Sequence, residues 1–238
     1  MPAEAGATDD HMIVARPTAV AIASDLLVWQ LADSAFPTGA FSHSAGLEAA
    51  WRLGLLPDPS ALEAWITGSI DHVGGSALPF ALAAHRRPEK MPSLDQWCEA
   101  MTTAPAANRA SRHQGRALII AAAAADPASG LVDLRHDPGP CHLAPVWGIC
   151  LRRLGIPRDT CGRLLLFAHA RGLVSAAVRL NRIGPLAAQG MQTRLAPAIE
   201  SAWHRHRHRS WRSAAQTSPL VELALATHDR LSARLFAS

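Results

Sequence analysis

Proline and glycine cut this chain into apolar segments whose residues recur every three or four positions, and that pattern restricts the fold more than any other feature. Leu62, Trp65, Ile66 and Ile70 follow it between Ser60 and Val73, and Leu94, Trp97 and Met101 follow it between Ser93 and Met101. The breaks fall at Gly54 and Pro57-Asp58-Pro59-Ser60, at Gly74-Gly75 and Pro79, at Arg87 to Pro92, at Gly155-Ile156-Pro157 and at Gly184-Pro185. Proline suits the first turn of a helix and glycine its end. Strand-like alternation is nearly absent, tyrosine is absent and β-branched residues are sparse. The expected fold is all-α, a single helical domain of about eight to ten helices at ordinary helix lengths.

Residues 1–22 are polar, punctuated by Ala and Pro and aperiodic, and read as a flexible N-terminal tail. Residues 23–238 then form the domain. A short helix from Ser24 carries Leu26, Leu27 and Leu31, and a second runs from about His43 to Leu53. The segment Pro105 to Ala125 turns almost wholly to Ala, Leu and Ile in its second half, so this helix is expected in the middle of the fold. Further helices are expected over His142–Leu154, Arg158–Leu180, Pro185 to about Arg209, and Pro219 to about Leu235.

Between the first two helices lies Phe36-Pro37-Thr38-Gly39-Ala40-Phe41-Ser42-His43-Ser44. Pro37 fixes its own φ and biases Phe36 towards an extended backbone, while Gly39 permits a turn that a Cβ would obstruct. Ser42 or Ser44 can cap the next helix, with Glu48 within reach of its first turn. Phe36 and Phe41 flank the turn. Two readings stand: a corner whose aromatics dock into the core, or a loop that is itself a contact surface.

The chemistry-bearing motifs are mostly missing. No G-x-x-x-x-G-K-[ST] occurs, and Lys90, the only lysine, sits in a Pro-flanked turn without a glycine cradle. No H-E-x-x-H occurs, and Ser42-His43-Ser44 lacks the G-x-S-x-G elbow of a serine nucleophile. In Trp203-His204-Arg205-His206-Arg207-His208-Arg209, a helix would place His204 and His208 on one face at a metal-competent spacing, with His206 pointing away. The competing reading is a solvated basic helix end suited to the C-terminal dipole. Asp71-His72 and Cys141-His142 can each offer ligands to a borderline metal, or can pack and cap. Asn108 to Arg116 puts several donors on a helix that later becomes apolar, which suggests a polar cluster inside a bundle or a contact with another chain.

Net charge is +4 with a pI near 9.4, too mild over 238 residues to indicate a nucleic-acid partner. Cys98, Cys141, Cys150 and Cys161 contain no C-x-x-C pair and read as reduced thiols of a cytoplasmic protein. No uninterrupted apolar run approaches a membrane span, and no membrane partner is expected.

The block Leu31-Ala32-Asp33-Ser34-Ala35-Phe36-Pro37-Thr38-Gly39-Ala40-Phe41-Ser42-His43-Ser44-Ala45-Gly46-Leu47-Glu48 closely resembles the signature of UreF, a family of urease accessory proteins. The likeness recurs in Arg109-Ala110-Ser111 with Gln114-Gly115-Arg116-Ala117-Leu118, in His142-Leu143-Ala144-Pro145-Val146-Trp147-Gly148, in Ser175 to Leu180, in Gly184-Pro185-Leu186, and in the tail with His228, Leu231 and Arg234 to Ser238. It runs collinearly over about residues 24–238, with Ser232 standing where the family usually carries Tyr.

This resemblance implies a non-catalytic, all-α chaperone without a cofactor, needed for nickel insertion into apo-urease. It implies a homodimer that binds UreD (also called UreH) and recruits and regulates the GTPase UreG. In the family, the loop aromatic and a C-terminal arginine lie near the UreD-type partner, which correspond here to Phe41 and Arg234. The surface expected to meet UreD/UreH therefore comprises Phe36, Phe41, Ser42, His43, Arg234, Leu235 and Phe236, with an apolar tail that is mobile until it docks. The alternative is a metallochaperone that binds nickel directly through the His-rich helix, with His204, His208 and His142 as candidate ligands.

Overall fold

The computed structural model describes residues 19–136 and 139–238. Residues 1–18, most of the expected N-terminal tail, lie outside the described residues, as do 137–138. The helices are α1 (Ala19–Ala32), α2 (Leu47–Arg52), α3 (Pro59–Ser76), α4 (Leu78–Arg86), α5 (Met91–Met101), α6 (Pro105–Ala125), α7 (Leu143–Arg153), α8 (Arg158–Arg179), α9 (Pro185–Arg194), α10 (Ala196–His206) and α11 (Pro219–Thr227). Among the described residues there is no strand. The fold is all-α and forms a single helical domain, as expected.

Proline opens most of these helices: α3, α4, α5, α6, α9, α10 and α11 all carry it in the first turn. There its missing N–H is one that no intrahelical carbonyl would use. The same rule corrects one expectation. The helix expected from Pro185 to about Arg209 is two helices, because Pro197 can sit in a first turn but not in an interior. Ser24 lies inside α1 rather than at its cap.

The helix expected from His43 begins only at Leu47. Ala45 (φ 48°) and Gly46 (φ 84°) adopt left-handed backbone, which ends any helix on their N-terminal side. The chain expected to be helical to about Leu235 leaves α11 at Thr227, makes one 3₁₀ turn over His228–Arg230, and continues without regular structure.

The centre is α8, which packs against α2, α3, α4, α7, α9 and α10. Its length and apolar content would suffice to cross a membrane, but 56% of that stretch is buried inside the protein. The expectation that α6 would lie in the middle is not met. It buries Ala106, Ala110, Gly115, Leu118, Ile119, Ala121 and Ala122 and exposes Ile120 on the other side. Alanine is a strong helix former with little to gain from burial, so an Ala-rich run does not compel an internal position. The larger of two buried hydrophobic clusters runs from Leu31 to Phe236, so α1 and the C-terminal segment share it.

Candidate partner-binding site

The loop after α1 is built by local hydrogen bonds. The Asp33 carboxylate accepts the Ala35 N–H at 2.8 Å, and this bond lowers the Asp33 pKa. Thr38 N–H reaches the Phe36 carbonyl at 2.8 Å. Gly39 then turns with φ 72°, and a Cβ there would lie 3.0 Å from His113 Cε1. Both the conformation and the space call for glycine. A 3₁₀ turn, Ala40–Ser42, follows and projects Phe41 outward with 68% of its surface exposed. Ser42 is also exposed, His43 is half-buried, and Phe36 packs partly against the core.

The C-terminal segment, expected to be mobile, is seated on this loop. Ala237 N–H donates to the Ser42 carbonyl at 2.8 Å, and Ser44 N–H donates to the Ser238 backbone oxygen at 2.5 Å. The Ser44 hydroxyl donates to the same Ser238 oxygen at 2.9 Å and accepts from Glu48 N–H at 3.4 Å. His43 Nδ1 and Ser238 Oγ are 2.7 Å apart. Glu48, only 1% exposed, receives Leu235 N–H on Oε1 at 2.8 Å and Phe236 N–H on Oε2 at 3.1 Å. A carboxylate positioned in sequence as a first-turn residue of a helix is thus the anchor of a segment almost two hundred residues away.

The seven residues expected to meet a partner lie on the loop and on the segment seated against it, though not all face outward. Phe236 is 3% exposed and belongs to the core, whereas its neighbour Leu235 is 60% exposed. Arg234 is exposed and donates to Asp229 at 3.0 Å, and Arg109 from α6 grips the same carboxylate at 2.7 and 2.8 Å. Arg179, in the last turn of α8, packs against both aromatics. Its guanidinium carbon is 3.7 Å from the Phe41 ring centroid and 4.0 Å from that of Phe236. No local pattern around Arg179 announces this role, which depends on three segments meeting.

His43 shares its surroundings with two other imidazoles. Its ring lies edge-on to His113 with centroids 6.0 Å apart, and His228 is buried nearby with Nε2 3.3 Å from the Phe236 carbonyl oxygen. Burial above all, then the proximity of His113 and His228, lowers the His43 pKa to about 4. A base this weak, with its Nδ1 engaged by Ser238 rather than by Ser42, is a poor activator for a hydroxyl nucleophile. The arrangement is suited to holding and presenting a surface.

The three weak metal candidates are dispersed. His142 is buried with both ring nitrogens engaged, Nδ1 by Ser111 Oγ at 3.0 Å and Nε2 by Glu99 Oε2 at 2.8 Å, while Asp95 accepts its backbone N–H. This is the polar cluster inside the bundle that the donors on α6 suggested. α10 ends at His206, so His204 and His208 do not share a helical face, and both are exposed. It is His206 that turns inward, its Nε2 3.0 Å from Asp71. His72 pairs instead with Glu222 at 3.0 Å. Among the described residues no group of three or more His, Cys, Asp or Glu is placed to hold a metal ion. The four cysteines are buried and form no disulfide with one another, and burial pushes the Cys150 thiol up to about 12.

Comparison with known proteins accounts for this framework. Residues 56–196 match the UreF family model. The chain is 38% identical over 218 residues to a protein named urease accessory protein F from Arabidopsis thaliana, spanning 88% of this chain and 91% of the relative. It is 36% identical over 216 residues to urease accessory protein F from Oryza sativa subsp. indica, spanning 87% and 83%. It is 30% identical over 223 residues to urease accessory protein UreF of Paenarthrobacter aurescens (strain TC1), spanning 90% and 97%. The loop and the C-terminal segment lie outside the stretch that the family model covers.

Proposed function

This chain belongs to the UreF family of urease accessory proteins, and from that premise we propose that it is a non-catalytic scaffold for nickel insertion into apo-urease. It binds a UreD/UreH-type protein through the joined loop and C-terminal segment, recruits and regulates a UreG-type GTPase, and pairs with a second copy of itself. Nickel is cargo of the assembly. Four buried cysteines without a disulfide suit the reducing cytoplasm, where we place the protein.

One observation carries the reading. Two segments 195 residues apart are bonded into a single surface that exposes Phe41 and Leu235. Large apolar side chains held outward on an anchored backbone gain most of their burial only when a partner covers them.

The test is co-purification of the full-length chain with its UreD/UreH-type and UreG-type partners, with and without the substitution Phe41→Ala and with residues 234–238 deleted. Loss of the UreD/UreH-type partner with helicity retained supports the reading. Unchanged capture by both variants overturns it, and unfolding by Phe41→Ala would return Phe41 to a purely structural role. The metallochaperone alternative draws no support from His204 and His208, because the helical face they were to share does not form.

A further inference from the structure

Two aromatic rings pack on Arg179, yet no carboxylate among the described residues is bonded to its guanidinium. Phe41 and Phe236 lie on the guanidinium at 3.7 and 4.0 Å, and Nε is buried without a hydrogen-bond partner. No hydrogen bond or ion pair joins its guanidinium to any described residue. A planar guanidinium packed against aromatic rings offers its N–H groups at its edge, the geometry that receives a carboxylate in two parallel hydrogen bonds. Rings that hold the fork in place beforehand reduce the entropy lost when it is used.

The surroundings favour an anion. Asp229 is shared by Arg109 and Arg234, so one carboxylate balances two guanidinium groups. Arg230 beside it is exposed. The Glu48 carboxylate is occupied by the Leu235 and Phe236 N–H groups and faces inward. Among the described residues no carboxylate is bonded to Arg179, and the exposed Phe41 ring beside it and the exposed Leu235 of the seated segment add apolar area to this surface.

We propose that Arg179 is a recognition residue that receives an Asp or Glu side chain of the docking protein, from a segment that also places an apolar residue against Phe41 and Leu235. The inference rests on the docking surface proposed above and adds the chemistry of its occupant. Covering the site with a protein segment would dry the pair and strengthen it.

The experiment titrates the full-length chain with the UreD/UreH-type protein at several salt concentrations, using wild type, Arg179→Gln, Arg179→Lys and Phe41→Ala. Hydrogen exchange at Leu235 and Phe236 in the free chain reports whether the C-terminal segment stays seated. Arg179→Gln is expected to weaken binding about tenfold or more and to flatten its salt dependence, whereas Arg179→Lys retains that salt dependence. Wild-type binding by Arg179→Gln together with loss of binding by Phe41→Ala overturns carboxylate recognition and leaves the docking surface standing. Wild-type binding by both removes the surface and the inference together. If Arg179→Gln also unseats the segment, Arg179→Lys decides: retained salt dependence supports recognition, and its loss makes Arg179 a purely structural clamp.

Discussion

The carboxylate of Glu48 accepts the backbone N–H of Phe236 at 3.1 Å across 188 positions of sequence. The same carboxylate takes the N–H of Leu235 at 2.8 Å. Hydrogen bonds to an ionised acceptor are stronger than neutral ones, and a buried carboxylate has no water to turn to. Glu48 and the C-terminal segment therefore complement each other: the two amide protons satisfy the buried carboxylate, and without the carboxylate they would lose their acceptor.

Glu48→Gln should unseat the segment while sparing the helices. The amide keeps one acceptor oxygen but turns an NH₂ group towards a backbone N–H, so one hydrogen bond is lost and two donors confront each other. The loss of a hydrogen bond to a charged group, about 1.5–3 kcal/mol, corresponds to roughly ten- to hundredfold faster exchange at Leu235 and Phe236. Hydrogen exchange would measure it, with circular dichroism as the control. Unchanged protection at both amides would mean that Glu48 does not anchor the segment.

Acid should release the same segment through His43. Its pKa is lowered to about 4 where it sits, while an exposed imidazole titrates near its ordinary 6.5. Between these values the released form binds the proton more readily than the seated form. The contribution of neutral His43 is therefore fully present above about pH 6.5 and is lost as pH falls towards 4, by at most about tenfold per pH unit for one proton. Exchange at Phe236 followed from pH 7 to pH 5, with intrinsic rates corrected, should show the opening grow. His43→Gln should flatten that dependence, and an unaltered slope in the variant would assign the effect elsewhere.

Much of the fold was legible because proline and glycine mark helix ends by covalent geometry. Pro105, Pro185 and Pro219 each open a helix where the spacing indicates one. The loop around Gly39 was legible for the same reason. What the sequence left obscure depends on contact across the fold. Glu48 looks like a cap residue until Leu235 and Phe236 arrive above it, and Arg179 looks like an ordinary helix-end cation until Phe41 and Phe236 close on it. In the His-rich run the error was one of helix length. With α10 stopping at His206, the periodicity that would pair His204 with His208 ends before reaching the second residue.

That ending predicts opposite fates for two neighbouring histidines. His206 is buried, is 3.0 Å from Asp71, and fills the space where a Cβ on Gly74 would lie 2.7 Å from its ring. His206→Ala removes both the packing and the contact and should cost about 1–3 kcal/mol in chemical denaturation. His208→Ala, at an exposed position, should remain within about 0.5 kcal/mol of wild type. Equal losses would mean that the basic run packs differently.

The two glycines Gly148 and Gly68 should respond in opposite directions to alanine. At Gly148 of α7 a Cβ would lie 2.0 Å from the Ala81 carbonyl oxygen of α4 and 2.9 Å from the His85 nitrogen. Those are backbone atoms of a packed helix and cannot swing aside, so α4 and α7 would have to separate and loosen the core between them. Alanine gains about 1 kcal/mol of helix propensity over glycine, but a net loss of about 3 kcal/mol is expected once the steric term is included. For a chain of this size that lowers Tm by about 6–12 °C. Gly68 of α3 is exposed and has nothing within 4 Å of its would-be Cβ. Gly68→Ala should therefore gain about 0.5–1 kcal/mol and raise Tm slightly. Calorimetry on both variants checks the pair, and a stabilised Gly148→Ala would mean that α4 and α7 are not in backbone contact.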